Sequence, residues 1–181
     1  MDRMGIAKFE KVSLEQFRED WYKAFGEAYK DGDCDIIEDN IKACYENIQL
    51  PKRATKGSAG YDFFLPFNIE LAVGESQVIP TGIRCKMNEG WVLKMYPRSG
   101  HGFKYGLHLA NSVGIIDEDY YNADNEGHIQ IKLVNDSSLA QPLDFKYDVA
   151  FCQGIFLPFG TTVDDEVEVE RTGGFGSTSN K

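Results

Sequence analysis

No run of apolar residues approaches the roughly 18 that a membrane-spanning helix needs, and no signal-peptide pattern opens the chain. Basic residues are also scarce. Nineteen Lys and Arg face 29 Asp and Glu, a formal net charge of −10. A nucleic-acid polymer demands a basic face, so that class of partner is excluded. A small phosphate ligand is not, because it needs only a few local cations and backbone N–H groups. The four cysteines (Cys34, Cys44, Cys85, Cys152) have no CxxC spacing, and the three histidines (His101, His108, His128) do not cluster with them. Buried free thiols fit better than a zinc site or a disulfide framework. No internal repeat or low-complexity linker divides the 181 residues. The chain is therefore expected to be one cytoplasmic domain, 1–181, with a core of its own.

What is present begins with helical spacing. After a short strand candidate at Gly5–Val12, Ser13 and Gln16 stand in capping-box relation. Leu14, Phe17, Trp21 and Ala28 then recur on one helical face up to Gly32. A second helix is predicted from Asp35 to about Asn47, with Ile37, Ile41, Cys44 and Ile48 on one side. These stripes fit a docking face better than a cofactor box, and the first 50 residues hold no catalytic constellation. From Leu50 onward, period-two alternation and Gly or Pro punctuation take over. Strand candidates are 58–65, 76–85, 91–96, 107–110, 128–134, 149–159 and 166–170. Seven short strands predict an all-β sandwich, barrel or jelly roll carrying a helical segment over 13–47. The last eleven residues, 171–181, are rich in Gly, Ser and Thr and are expected to form a mobile arm.

Five windows carry chemistry. Ser58-Ala59-Gly60-Tyr61-Asp62 places small residues before an acid that enters a strand. Pro97-Arg98-Ser99-Gly100 offers a guanidinium, a hydroxyl and loop N–H groups, a set suited to phosphate oxygens. Asn111 to Tyr120 runs through Gly114, Ile115 and Ile116 to Asp117 at a strand end. Taken alone, that window is a hairpin with solvated acids at its tip. Phe151-Cys152-Gln153-Gly154 begins an apolar strand with an amide donor. Arg171-Thr172-Gly173-Gly174-Phe175-Gly176-Ser177-Thr178 is a glycine-rich tail with one cation and one aromatic ring.

In this order and spacing, the five windows resemble the motifs of the trimeric all-β dUTP pyrophosphatases (dUTPases), over about Leu50 to Thr178. The resemblance implies a distorted jelly roll and a homotrimer whose sites combine motifs from several subunits. It implies hydrolysis of dUTP to dUMP and pyrophosphate with Mg²⁺. Asp117 would polarise the attacking water. Asn111, with the backbone near Gly114 and Ile116, would read the uracil edge, and Tyr120 would pack beneath the deoxyribose. Arg98, Ser99, Gly100 and Gln153 would hold phosphate oxygens, and Asp62 would act on Mg²⁺ through water. Phe175 would stack on uracil once the tail closes, with Arg171, Gly176, Ser177 and Thr178 toward the outer phosphates.

The chain also departs from the family pattern. Tyr121 to Glu126 intervene before Gly127, lengthening the hairpin tip with acids that are expected to alter the rim of the uracil pocket. No cation precedes Gln153 at Asp148–Cys152, and Arg171 lies one residue nearer to Phe175 than in many relatives. Two alternatives stay open. One is a dCTP deaminase, which shares the fold. The other is a regulatory nucleotide-binding protein that engages a protein partner through the helical segment or the enlarged hairpin.

Overall fold

The structure is a computed structural model, and it describes residues 5–30, 32–136, 142–169, 171 and 173. All strand pairings are antiparallel. The central sheet has the order β2 (Tyr61–Phe64), β11 (Ala150–Pro158), β6 (Trp91–Pro97), β8 (Gly114–Ile116). A second sheet orders β4 (Ser76–Pro80), β9 (Gln130–Asn135) and β7 (Leu107–Leu109). Two pairs complete the jelly roll: β1 (Ala7–Lys11) with β5 (Ile83–Met87), and β3 (Ile69–Leu71) with β10 (Leu143–Phe145). Phe63, Leu93, Met95, Leu133 and Phe151 fill the space between the layers and are almost wholly buried.

Helices α1 (Leu14–Tyr29) and α2 (Cys34–Asn47) form where the 3.6-residue spacing placed them. Phe17, Trp21, Ile37 and Ile41 join the same buried cluster as the sheet residues. The capping box at Ser13 is only half local. The Gln16 N–H donates to Ser13 Oγ at 3.1 Å. The reciprocal carboxylate is Glu126, 113 residues away, which accepts from Ser13 N–H at 2.8 Å and from Ser13 Oγ at 2.6 Å. Gln16 turns instead to the buried Asp20, at 2.8 Å.

Several expectations are corrected. The stretch 76–85 is two strands, because Gly82 turns the chain at φ +71° and a Cβ there would strike Ile48. Residues 166–169 form no strand; Val167 and Val169 are exposed there. Strands β3 and β10, three residues each, are too short to show a period, while β8 ends just before Asp117 as expected. Helix α3 (Ser99–Tyr105) follows β6 directly where a loop is expected, since Gly100 and Gly102 give it low helix propensity. Gly106 closes it in the left-handed region at φ +62°.

Candidate active site

Two clusters hold the residues singled out from the sequence. The first grows from the turn between β7 and β8. Ser112 takes φ +62° there, and its N–H donates to Leu109 O at 2.9 Å. Gly114 then pairs with Met95 of β6. A Cβ on Gly114 would lie 3.1 Å from Met95 Cβ and 3.8 Å from Asn111 Nδ2, so only glycine leaves the approach to this backbone open. Asn111, Gly114, Ile116, Asp117 and Tyr120 line a cavity of about 460 Å³, joined by Gln130 and Lys132 of β9 and by Arg171. That volume suits a nucleoside-sized ligand.

Tyr120 is buried, and its hydroxyl donates to His128 O at 2.9 Å while accepting from Asn125 Nδ2 at 2.8 Å. Burial pushes its phenol up, so the ring is a neutral, fixed wall of the cavity. Asp117 precedes a 3₁₀ turn over Glu118–Asn122, and its carboxylate is nearly half exposed. Arg171 caps it: the guanidinium pairs with Asp117, approaches Asp119 Oδ1 at 3.0 Å and lies 5.7 Å from the Tyr120 ring centre. The family resemblance implies only a phosphate role for Arg171, whereas its contact with Asp117 spans 54 positions. Glu118 is structural, accepting from Gly90 N–H at 2.6 Å.

The second cluster is made by strand order. In the sheet β2-β11-β6, Gln153 pairs with Asp62 on one side and with Tyr96 on the other. Its Nε2 donates to Pro97 O at 3.2 Å, and Gly60 leaves room for its amide. Where β6 gives way to α3, Arg98 Nε stands 3.3 Å from Asp62 Oδ1. Arg98, Ser99 and Gly100 line a cavity of about 300 Å³ together with His101, Lys104, Tyr105 and Phe145. His101 and Lys104 belong to none of the five motif windows' assigned roles. Burial, then the positive charges of Arg98 and Lys104, push the His101 imidazole down, so it sits neutral beside those two cations.

The two cavities share no lining residue. Among the described residues, no group of three or more His, Cys, Asp or Glu could cage a metal. A lone carboxylate such as Asp62, salt-bridged at its side, fits an Mg²⁺ that arrives on a triphosphate with its own waters. Phe175, Gly176, Ser177 and Thr178 lie outside the described residues.

The enlarged tip 121–127 faces the N-terminal segment rather than the mouth of the pocket. Tyr121 O–H donates to Glu10 at 2.5 Å, Arg84 stacks 3.7 Å over the Tyr121 ring, and Glu126 caps α1 through Ser13. Its links to the cavity run to Tyr120, through Asn125 on the hydroxyl and the Ala123 N–H on the carbonyl at 3.0 Å. Gly127 closes the loop at φ +68°, where a Cβ would come 2.5 Å from Tyr120 O and 2.7 Å from Tyr121 Cα. Gly127→Ala is therefore expected to cost about 1–3 kcal/mol through backbone strain and to weaken nucleotide binding by shifting Tyr120. Calorimetric melting and KM check this; an unchanged Tm would show that the loop adapts.

An antiparallel jelly roll with a nucleoside-sized pocket ending in a carboxylate, and a cluster around Arg98 and Lys104 where β6 ends, is the make-up of an all-β nucleotide-binding enzyme. A family model for dUTPase matches residues 46–179. The deoxyuridine 5'-triphosphate nucleotidohydrolase of Lactococcus lactis is 45% identical over 139 residues, 74% of this chain and 91% of that protein. The dUTPase structure from Streptococcus mutans superposes with a TM-score of 0.58 at 41% identity, covering 65% of this chain and 90% of its own. A mutant dUTPase from phage phi11 of S. aureus shares the fold, with a TM-score of 0.55 at 23% identity over 68% of this chain and 92% of its own; that structure shows coordination of a structural Mg(II) ion. The chain belongs to the dUTPase family.

Proposed function

We propose that this dUTPase hydrolyses dUTP to dUMP and pyrophosphate with Asp117 as the proton acceptor for the attacking water. The observation that carries this is the 460 Å³ cavity that runs from Asn111 and Gly114, past the fixed Tyr120 ring, to the Asp117 carboxylate. Water oxygen attacks the α-phosphorus, the bond from that phosphorus to the β-phosphate's bridging oxygen breaks, and pyrophosphate leaves. The proton passes to Asp117. Hydrolysis of a phosphoanhydride needs positioning and charge neutralisation more than covalent help. Asn111 and the backbone at Gly114 and Ile116 read the uracil edge, while Tyr120 packs beneath the deoxyribose and excludes a 2′-hydroxyl.

Arg98, Ser99, Gly100 and Gln153 hold the phosphate oxygens. Asp62 would hold Mg²⁺ through water, and the ion would supply charge neutralisation along the triphosphate. Arg171 transfers from Asp117 and Asp119 to the outer phosphates, and Phe175, Gly176, Ser177 and Thr178 close over the nucleotide. The separate linings of the base cavity and the anion cluster support a homotrimer in which different subunits complete one site. Cytoplasmic removal of dUTP, limiting uracil in DNA and supplying dUMP, is the role that follows. A regulatory protein partner is a further proposal; its surface would be the outer faces of α1 and α2, because loop 121–127 is engaged by Glu10 and Ser13.

Pyrophosphate release from dUTP, dTTP, dCTP and UTP with Mg²⁺ tests the reading. dUTP is expected to be preferred over dCTP by on the order of 10⁴-fold, since the wrong base edge leaves buried polar groups unpaired. Ammonia from dCTP, without pyrophosphate from dUTP, would assign a deaminase instead.

A further inference from the structure

The hydroxyl of Tyr120 is fixed by two residues that lie outside the five motif windows. It donates to His128 O at 2.9 Å and accepts from Asn125 Nδ2 at 2.8 Å. With its own proton on a carbonyl, the hydroxyl can only accept from a second partner, so the Asn125 amide must present its nitrogen. That orientation leaves Asn125 Oδ1 buried without a hydrogen-bond partner among the described residues. An orphaned buried acceptor is destabilising, and native structures carry few of them. One kept beside a nucleoside-sized cavity points to a use for the bond that it permits.

The loop carrying Asn125 is braced on the helical segment. Glu126 accepts from the Ser13 N–H and Oγ at 2.8 and 2.6 Å, where α1 begins, and Arg84 of β5 stands 3.8 Å from it. The His128 ring is enclosed between Asp20 of α1 and the Gly82 N–H, at 2.6 and 2.8 Å, and its own backbone N–H donates to Asn125 O at 3.0 Å. Ser13 and Asp20 are seven residues apart, on one side of the helix, so a single rigid element holds both neighbours of Asn125. Inside the loop, Ala123 N–H donates to Tyr120 O at 3.0 Å and Glu126 N–H to Ala123 O at 2.8 Å. Tyr120 is therefore tied to this loop at both its carbonyl and its hydroxyl.

Resting on the reading that Tyr120 packs beneath the deoxyribose, we propose that Asn125 is a positioning residue for sugar selection, with α1 as its brace through Glu126 and His128. An apolar wall rejects an added hydroxyl by shape alone, which is worth only on the order of 10²-fold. Such discrimination lasts only while the wall does not yield. A ring that recedes admits the 2′-hydroxyl of UTP, and the Asn125 bond keeps the Tyr120 ring from receding. The segment 13–47, almost wholly outside the matched family region 46–179, thereby takes part in choosing the substrate.

Pyrophosphate release from dUTP and UTP by the full-length protein with Mg²⁺ gives the test, as the ratio of the two kcat/KM values. Asn125→Ala is expected to lower that ratio about tenfold, by a lower KM for UTP and a higher KM for dUTP, with kcat for dUTP held within about threefold. Asn125→Asp keeps the size of the side chain but has no N–H; it should lower the ratio as much, and it serves if the Ala variant does not fold. Glu126→Ala should lower the ratio about threefold, and Glu126→Gln, which can still accept from Ser13 N–H and donate to Ser13 Oγ, should restore it. In a Tyr120→Phe background, adding Asn125→Ala should change the ratio less than about twofold, since the bond it deletes is already gone. An unmoved ratio in both Asn125 variants overturns the proposal. So does a fall of kcat alone, an equal fall in the Tyr120→Phe background, or no recovery with Glu126→Gln. Tyr120→Ala tells the two readings apart. If it collapses the ratio and the Asn125 variants do not, Tyr120 lies under the sugar and the positioning role alone fails. If it leaves the ratio unchanged, the sugar lies elsewhere and both fail.

Discussion

Asp117→Asn is expected to bind dUTP as the unaltered chain does and to lose turnover by on the order of 10²–10⁴-fold. The amide keeps the size and hydrogen-bonding reach of the carboxylate, so it can still orient a water, but it cannot take that water's proton. Nothing in the rest of the cavity changes, because Asn111, Gly114 and the fixed Tyr120 ring do not depend on the Asp117 side chain. The pairing with Arg171 adds a second expectation. In the free chain the guanidinium is divided between Asp117 and Asp119, and the amide removes one of these charges. Arg171 is then released toward phosphate more readily, so nucleotide affinity should hold or rise while kcat falls. Single-turnover pyrophosphate release and calorimetric titration with a non-hydrolysable dUTP analogue separate the two quantities. Undiminished hydrolysis by this variant would move the proton acceptor elsewhere.

Asp20→Ala should cost about 1–3 kcal/mol of stability, because it leaves the buried Nδ1–H of His128 and the Gln16 amide without their acceptor. Asp20 on α1 and His128 just before β9 are almost wholly enclosed, with Nδ1 and Oδ2 2.6 Å apart. His128 Nε2 accepts the Gly82 N–H at 2.8 Å, which leaves Nδ1 as the nitrogen that donates to Asp20. Gln16 and Lys23 complete the carboxylate's partners at 2.8 and 2.9 Å. Burial alone would raise the Asp20 pKa, but the hydrogen bonds from His128, Lys23 and Gln16 outweigh it and hold the carboxyl well below the usual range.

A carboxyl depressed in the folded state adds stability above its unfolded pKa of about 3.9 and loses it as pH falls through the folded value. Urea unfolding at fixed protein concentration should therefore show an acid limb below about pH 4 that is shallower in the Ala variant. A loss under 1 kcal/mol at pH 7 would show that the helical segment is held by its apolar contacts alone.

Some of this was legible in the residues. Helices α1 and α2 repeat Phe17, Trp21, Ile37 and Ile41 at helical spacing over four turns, a local signal that tertiary packing reinforces. The longer strands show period two, and the five motif windows carry the family resemblance in their order. The three-residue strands β3 and β10 were invisible, since one and a half periods cannot be told from a turn. Helix α3 was hidden by two glycines that weaken its own propensity and are tolerated only because β6 leads into it and Gly106 caps it. The enlarged loop was misjudged for a related reason. Its acids look solvated in one dimension, and Glu126 proves to be half of a capping box begun at Ser13.

By itself, then, the chain's order of residues determined which groups are available: an acid after Gly114, a guanidinium after β6, an amide in β11, a carboxylate in β2. Those choices are local, set by turn chemistry, strand period and the reach of one side chain. Only the tertiary structure decided which groups meet. Asp62, Gln153 and Arg98 converge because β11 lies between β2 and β6, a pairing that antiparallel register specifies once both strands exist. Asp20 finds His128 across 108 residues, and Arg171 finds Asp117 across 54, through loop closures whose entropic cost only the assembled core offsets.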